Sequence, residues 1–216
     1  MKYEIKALLI DMDGTLLDSE IIPKYAWLKT CEHFGFSFNE SIFNQLIGAT
    51  RKSAQPLISQ MIPEDFEEEK VKQYQQQVFQ DYIKTYGISL KKGAKELLEF
   101  AKMKQIHTIV VTSTYNDFAI KKLKIAGIYD DIEMIVSGDM VEHGKPAPDI
   151  YLKAMQLANL KNDECLVIED SLNGILSGLK ANCSVVLIPD LIDIDEEIKK
   201  RCVLCATSLL DVMRYL

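Results

Sequence analysis

This chain predicts an α/β fold: a parallel sheet covered by helices on both faces, with an all-helical segment inserted after the first strand. Three observations carry that reading. Short β-rich runs alternate with segments of helical periodicity, the pattern of a sheet built from strand–helix–strand units. Residues 17 to about 87 break the alternation and read as consecutive helices. Reactive residues stand directly after several β-runs, where open α/β sheets place their ligands.

The β-runs lie at 7–10, 106–111, 134–136, 165–168 and 185–188. Between them, residues 95–104 gather Leu97, Leu98 and Ala101 on one helical face. Residues 117–125 follow Asn116, a good N-cap, and stop before Gly127. Residues 148–158 open with Pro148, which suits a first turn. Residues 172–180 follow Ser171 as N-cap, with Asn182 just past the end. In the inserted segment, a helix over 22–34 stops at Gly35, and a short one follows Asn39. A third covers 51–61. The longest covers 65–86, with Val71, Tyr74, Val78 and Tyr82 at helical spacing, and ends at Gly87. The division expected is a core of residues 1–16 and 88–216 and a helical cap of 17–87. The cap joins the core near residues 16–18 and 87–93, and Gly87 and Gly93 could absorb a backbone rotation.

At 216 residues and 48% hydrophobic content the chain can bury a sizeable core. A net charge of −7 argues against nucleic-acid binding, whose footprint is a basic face. No apolar run approaches a membrane span of ~18 residues. The start, with Glu4 and Lys6, does not read as a signal peptide. Five scattered cysteines suggest no disulfide framework. Cys202 and Cys205 would face opposite sides of a strand, so joint metal ligation is not expected. Buried thiols in a reduced cytoplasm fit better.

The most informative stretch is Asp11-Met12-Asp13-Gly14-Thr15-Leu16, at the end of the first β-run. Two close carboxylates repel unless they share a cation or a proton. Mg²⁺ suits that task, because it takes oxygen ligands and is often held by one or two carboxylates plus phosphate. Gly14 lets backbone N–H groups approach an anion. A solvated Asp-rich turn would serve this hexapeptide equally well. Thr112 and Ser113 follow a second β-run with hydroxyls and N–H groups that suit a phosphate, or simply a turn. Lys145 sits in a loop stiffened by Pro146 and Pro148, which fixes a point charge. Glu169 and Asp170 follow another β-run, and packing alone explains them poorly. If the strands are adjacent, one crevice holds a metal site, an anion site and a nucleophile.

Together these residues resemble the haloacid dehalogenase (HAD) superfamily, in the branch with a helical cap after the first strand. The resemblance spans essentially the whole chain. It rests on Asp11 to Glu20, Val110-Val111-Thr112-Ser113, Gly144-Lys145-Pro146-Ala147-Pro148-Asp149 and Val167-Ile168-Glu169-Asp170-Ser171-Leu172-Asn173-Gly174, in that order. It implies a Rossmann-like parallel core and a Mg²⁺-dependent phosphohydrolase acting on a small phosphorylated metabolite. Asp11 would be the nucleophile and Asp13 the general acid and base. Mg²⁺ would be held by Asp11, the backbone carbonyl of Asp13 and Asp170, with Glu169 as a further or water-linked ligand. Gly14, Thr112, Ser113, Lys145 and Asn116 would bind phosphate or substrate, and Arg51 in the cap would hold a distal anion.

Asp13 sorts the relatives. Dehalogenases of this family lack the second aspartate, because a halide needs no protonation. The β-phosphoglucomutase branch is the alternative: Gly48-Ala49-Thr50-Arg51 and Trp27 match it. That branch places a histidine about five residues after the aspartate matching Asp18, where this chain has Pro23. The Asp18-Ser19-Glu20 form is more similar to sugar-phosphate phosphatases. A non-catalytic phosphate-responsive module is a third reading, but such a binder is free to lose Asp13.

Overall fold

The computed structural model describes residues 4–47 and 51–216, with the side chains of 51–53 set aside. The chain runs β1 (Ala7–Ile10), α1 (Ile21–Phe34), α2 (Glu40–Leu46), α3 (Arg51–Gln60), α4 (Glu68–Tyr86), α5 (Ala94–Met103), β2 (His107–Thr112), α6 (Asn116–Ile125), β3 (Met134–Ser137), α7 (Asp149–Ala158), β4 (Cys165–Glu169), α8 (Leu172–Lys180), β5 (Ser184–Leu187), α9 (Glu196–Lys199), β6 (Leu204–Cys205) and α10 (Leu209–Tyr215). The strands form one parallel sheet in the order β3-β2-β1-β4-β5-β6.

Strand alternation explains the layers. Leu8, Ile10, Val110, Leu166, Ile168 and Val186 point to one face, which Leu97 and Leu98 of α5, Leu123 of α6 and Val212 of α10 cover. Ala7, Leu9, Ile109, Val111, Val167 and Val185 point to the other, covered by Ile150, Tyr151 and Ala154 of α7 and Ile175 of α8. Both faces are dry, so the strands read as continuous apolar runs. From β1 the chain winds outward to β2 and β3, then returns to β4 and winds the other way. That reversal opens a crevice at the carboxyl ends of β1 and β4.

Most expected ends hold to within a few residues, because their punctuation acts locally. Gly35 closes α1 at φ 80°, Asn182 follows α8 at φ 60°, and the Ser171 hydroxyl accepts the Gly174 N–H at 3.1 Å. Asn116 differs. It is the first helical residue of α6, and Tyr115 holds the N-cap position. The Asn116 N–H donates instead to Asp139 Oδ1 at 3.0 Å. The five expected runs are joined by a sixth strand, β6, at the sheet edge. The thiols also depart from expectation there. Cys31, Cys165 and Cys183 are buried, but Cys202 is half-buried and Cys205 exposed, because a two-residue edge strand leaves its flank to solvent.

The four helices after β1 have their own apolar centre, in which Trp27, Phe43, Met61 and Val71 are buried. α1 lies along α4, with His33 stacked on Tyr74 at 4.0 Å and Tyr25 against Tyr82 at 5.0 Å. The two connecting segments pair with each other. The Asp18 N–H donates to Ser89 O, the Lys91 N–H donates to Leu16 O, each at 2.9 Å, and Leu17 lies opposite Leu90. The two glycines at the second connection differ. Gly87 ends α4 at φ 74° in open space, while a Cβ on Gly93 would overlap the backbone of Leu210. Gly93 serves a close approach to α10.

Candidate active site

Asp11 leaves β1 without breaking the sheet, as its N–H donates to Ile168 O at 2.9 Å. That bond fixes the carboxylate at the strand end. Lys145 reaches it from the loop before α7. The ammonium donates to Asp11 Oδ1 at 2.5 Å, Glu169 Oε1 at 2.6 Å and Val111 O at 3.0 Å. Lys145 is 5% exposed and Glu169 is fully buried. Burial alone would push the Lys145 ammonium down, but Asp11 and Glu169 outweigh it and hold it above its ordinary value. It stays charged.

Asp11, Glu169 and Asp170 each bring a carboxylate oxygen within 4.8 Å of the others. One buried ammonium cannot balance three carboxylates. Burial therefore pushes Asp11 and Asp170 well above the usual carboxylate range, with neighbouring carboxylates adding to it. This donor set suits a hard divalent cation, which takes oxygen ligands and supplies the missing positive charge. The three carboxylates are not equivalent. Glu169 already accepts from Lys145, from the Tyr151 hydroxyl at 2.7 Å, from the N–H groups of Asp170 and Ser171 and from the Ser171 hydroxyl. Asp170 accepts only the Thr15 hydroxyl on Oδ1, at 2.9 Å, among the hydrogen bonds described. Asp11 and Asp170 are thus the better direct ligands, and Glu169 orients Lys145. Two glycines make room. A Cβ on Gly14 would overlap Asp170 Oδ2, and one on Gly174 would overlap the Glu169 carboxylate.

Asp13 sits in the opposite environment. Oδ1 accepts Ser19 Oγ at 2.5 Å and Lys122 Nζ at 2.6 Å, and Oδ2 accepts Thr114 Oγ1 at 2.8 Å. Burial pushes the Asp13 carboxyl up, but Lys122 and the two hydroxyls outweigh it and hold it below its ordinary value. The two aspartates of one turn thus sit in opposite surroundings, Asp11 in a cluster short of positive charge and Asp13 paired with a cation of its own.

A cavity of about 280 Å³ joins these groups. Asp11, Asp13, Thr112, Ser113, Lys145 and Asp170 line it from the sheet side, and Pro23, Leu46 and Phe79 from the helices after β1. Six of the residues singled out in the sequence therefore meet in one place, with Glu169 sealed beneath and Gly14 supporting Asp170. Asn116 does not join them. Because α6 starts at Asn116, its side chain lines a separate depression with Ile120 and Tyr129, and Tyr115 takes the cavity rim. Residues 48–50 and the Arg51 side chain lie outside the described residues, so the distal-anion expectation is not placed.

Ser19, Thr114, Lys122 and Tyr151 were not foreseen. Lys122 is 109 residues from Asp13 in sequence, which no local spacing reveals. The available signal was weak: Tyr115, Phe118 and Lys122 fall at i, i+3 and i+7, one helical face, and all three line the cavity.

Among the described residues no helix is long and apolar enough to cross a membrane. The sequence model of the haloacid dehalogenase-like hydrolases matches residues 8–188. Hexitol phosphatase A of Escherichia coli is 32% identical over 183 residues, covering 85% of this chain and 82% of that protein. The phosphorylated carbohydrates phosphatase of Thermotoga maritima is 28% identical over 176 residues, 79% of each chain. Solved structures share the fold. CbbY of Rhodobacter sphaeroides in complex with phosphate superposes at a TM-score of 0.77 with 23% identity, over 96% of each chain. The β-phosphoglucomutase of Clostridium difficile superposes at 0.75 with 22% identity, over 96% of this chain and 93% of that one. With the motif residues assembled at one crevice and the family matched along most of its length, this chain is an enzyme of the haloacid dehalogenase-like hydrolase family.

Proposed function

We propose that the protein is a Mg²⁺-dependent phosphohydrolase that cleaves a small phosphorylated carbohydrate through an aspartyl-phosphate on Asp11. The observation that carries this reading is geometric: Asp11 and Asp13 stand together on the floor of one cavity, with Lys145 hydrogen-bonded to Asp11 and the Asp11, Glu169 and Asp170 carboxylates clustered beside it. The names of the phosphatase relatives point the same way.

In the first step a carboxylate oxygen of Asp11 attacks phosphorus and the bond to the ester oxygen breaks. Asp13 gives a proton to that leaving oxygen. In the second step Asp13 takes a proton from the attacking water. The water oxygen bonds to phosphorus, the acyl-phosphate bond breaks, and Asp11 is restored. Lys145 neutralises Asp11, so that one anion can approach another, and with Thr112 and Ser113 it offers donors to the phosphoryl oxygens. Asp11, Asp170 and the Asp13 carbonyl would hold Mg²⁺. When bound, it screens the carboxylates and the transferring phosphoryl group. In the state described, Lys122 holds Asp13 ionised, ready as a base, so Asp13 must loosen from Lys122 to carry the first proton.

The helices of residues 17–87 act as a cap that excludes bulk water. The mutase alternative is disfavoured at Pro23, which lines the cavity and offers no proton-carrying group where that branch places a histidine. The test is incubation with p-nitrophenyl phosphate and a panel of sugar phosphates, with and without Mg²⁺. Release of free phosphate supports the reading. Conversion of a sugar 1-phosphate to its 6-phosphate without release, or no turnover of any compound, overturns it.

A further inference from the structure

The ends of β1, β2 and β4 supply the floor, and β5 ends beside them. The Ile188 N–H donates to Glu169 O at 2.8 Å, so the chain leaving β5 runs alongside the start of the Asp170 loop. Two residues further on stands Asp190, which the site described above does not use. Its side chain is 10% exposed. Lys91, in the second connection between the insert and the core, donates to Asp190 Oδ1 at 2.6 Å. The other oxygen, Oδ2, is buried and has no hydrogen-bond partner among the described residues. A buried carboxylate oxygen without a donor is costly, so its surroundings have to be explained.

Gly14 shows which way that oxygen faces. A Cβ built there would overlap Asp170 Oδ2 and would stand 3.0 Å from Asp190 Oδ2. Both oxygens therefore crowd the same side of Gly14, in the turn that carries Asp11 and Asp13. Asp170 Oδ2 likewise accepts nothing among the hydrogen bonds described, because the Thr15 hydroxyl goes to Oδ1. Two carboxylate oxygens facing one spot repel unless a positive charge or a hydrogen-bond donor stands between them. Lys91 does not supply it, since its bond is to the far oxygen of Asp190.

Asp190 is not a direct ligand of the cation that this cluster suits. The oxygens within 4.8 Å of one another belong to Asp11, Glu169 and Asp170, and Asp190 is not among them. It stands behind that set. Mg²⁺ keeps several of its waters when protein carboxylates bind it, and the O–H groups of those waters are donors. Groups behind the ligands that accept such bonds fix the ion and raise its affinity.

We propose that Asp190 is an outer-sphere residue of the cation site: its Oδ2 accepts a hydrogen bond from water carried by Mg²⁺, while Lys91 occupies Oδ1. The proposal rests on the divalent-cation reading of the Asp11, Glu169 and Asp170 cluster. It adds a fourth carboxylate that touches neither the metal nor the phosphate, so Asp190 is a positioning residue. The competing role is a structural ion pair in which Asp190 serves only to hold Lys91, which also stands 3.9 Å from Asp18 of the first connection. The two roles separate when Lys91 is removed. A structural pair is broken equally from either side. An outer-sphere carboxylate survives the loss of Lys91, and a positive charge leaves the neighbourhood of the cation.

The readout is metal affinity in the absence of substrate and turnover. Mg²⁺ is titrated into the metal-free protein by calorimetry, and Mn²⁺ is titrated separately with the free ion counted by paramagnetic resonance. Wild type, Asp190→Asn and Lys91→Met are compared after circular dichroism has shown each to be folded. Kd should rise about ten- to hundredfold in Asp190→Asn and stay within about threefold of wild type in Lys91→Met. If Asp190→Asn does not fold, Asp190→Glu takes its place: it keeps a charge for Lys91 but displaces the outer oxygen, and Kd should again rise. An unchanged Kd in the folded Asp190 variant overturns the proposal. An equal rise in Asp190→Asn and Lys91→Met also overturns it, in favour of the structural pair. If wild type binds neither Mg²⁺ nor Mn²⁺, the divalent-cation reading itself fails, and the proposal falls with it.

Discussion

The catalytic floor and the helical insert are built on opposite principles. At the floor, charged groups are buried and held from several sides: Lys145 touches Asp11, Glu169 and a backbone carbonyl, and Tyr151 braces Glu169. In the insert, aromatic packing makes the centre, and a second cavity there, of about 650 Å³, is lined by Glu20, Glu69, Lys72 and glutamines as well as by apolar side chains. The first region leaves almost no side chain free to vary without stranding a buried charge. The second can change its amides and apolar residues while its helices stay packed. The two regions thus differ in their tolerance for substitution.

The largest effect should come from the floor. Asp11→Asn keeps the shape but removes the attacking charge, so kcat on p-nitrophenyl phosphate should fall by about four decades or more, roughly 5 kcal/mol of barrier. The fold should survive, because the change removes one of three crowded buried carboxylates. A variant keeping a tenth of wild-type activity would show that the floor is not where the bond is broken.

Metal removal comes next. Exhaustive EDTA treatment should abolish turnover while circular dichroism stays native, and Mg²⁺ should restore activity. Ca²⁺ should not, since it prefers larger and more flexible shells. Full activity after chelation would mean that Lys145 alone balances the cluster.

Lys122→Met tests whether Asp13 is tuned from α6. Losing the 2.6 Å ion pair should lower kcat by roughly ten- to hundredfold, a share of what acid–base catalysis contributes, with KM little changed and Tm lowered, because Asp13 is left without its cation. A loss confined to KM would make Lys122 a substrate contact instead.

These residues also show what the sequence made legible. The floor was readable because parallel strands carry their reactive residues at their carboxyl ends, so Asp11, Thr112 and Asp170 each stood beside an apolar run, while Lys145 stood out in its proline-stiffened loop. Gly93 answers a contact with α10 that no local pattern encodes. Lys122, Ser19 and Thr114 were hidden because ordinary helix and turn positions become site residues only when the sheet brings them to Asp13. Asn116 was misplaced because one residue of helix register decides which side chain faces the cavity.

A paired glycine substitution sharpens the contrast in tolerance. Gly174→Ala would drive a Cβ into the Glu169 carboxylate, an overlap at the rigid floor, and should cost about 1–3 kcal/mol in urea unfolding. Activity should fall with it, as Glu169 shifts against Lys145. Gly35→Ala, at the end of α1, meets nothing within 4 Å and bears only the strain of φ 80°, about 1 kcal/mol. Its activity should stay near wild type. Equal costs would mean that the floor yields as easily as the insert.

The smallest effect lies at the seam between the two regions. Glu20 lines both cavities, and its carboxyl is pushed up to about 7, first by burial and then by Asp13, with Lys122 opposing and Asp190 adding. An acid whose folded value exceeds its unfolded one favours folding while protonated. Stability from this group is fully present below about 4.5, the ordinary glutamate value, and is lost as pH rises through about 7. Glu20→Gln removes that loss. The variant should match wild type at pH 4.5 and exceed it at pH 8 by about 1 kcal/mol, discounted for the partial exposure of Glu20, or about 2–4 °C in Tm. Thermal melts of the metal-free protein across that range read the difference directly. A Tm gain that is the same at both pH values would assign the effect to packing. A loss at pH 8 would mean that the Glu20 carboxylate is paired across the seam, and that the insert is held to the floor by charge as well as by its two strand-like connections.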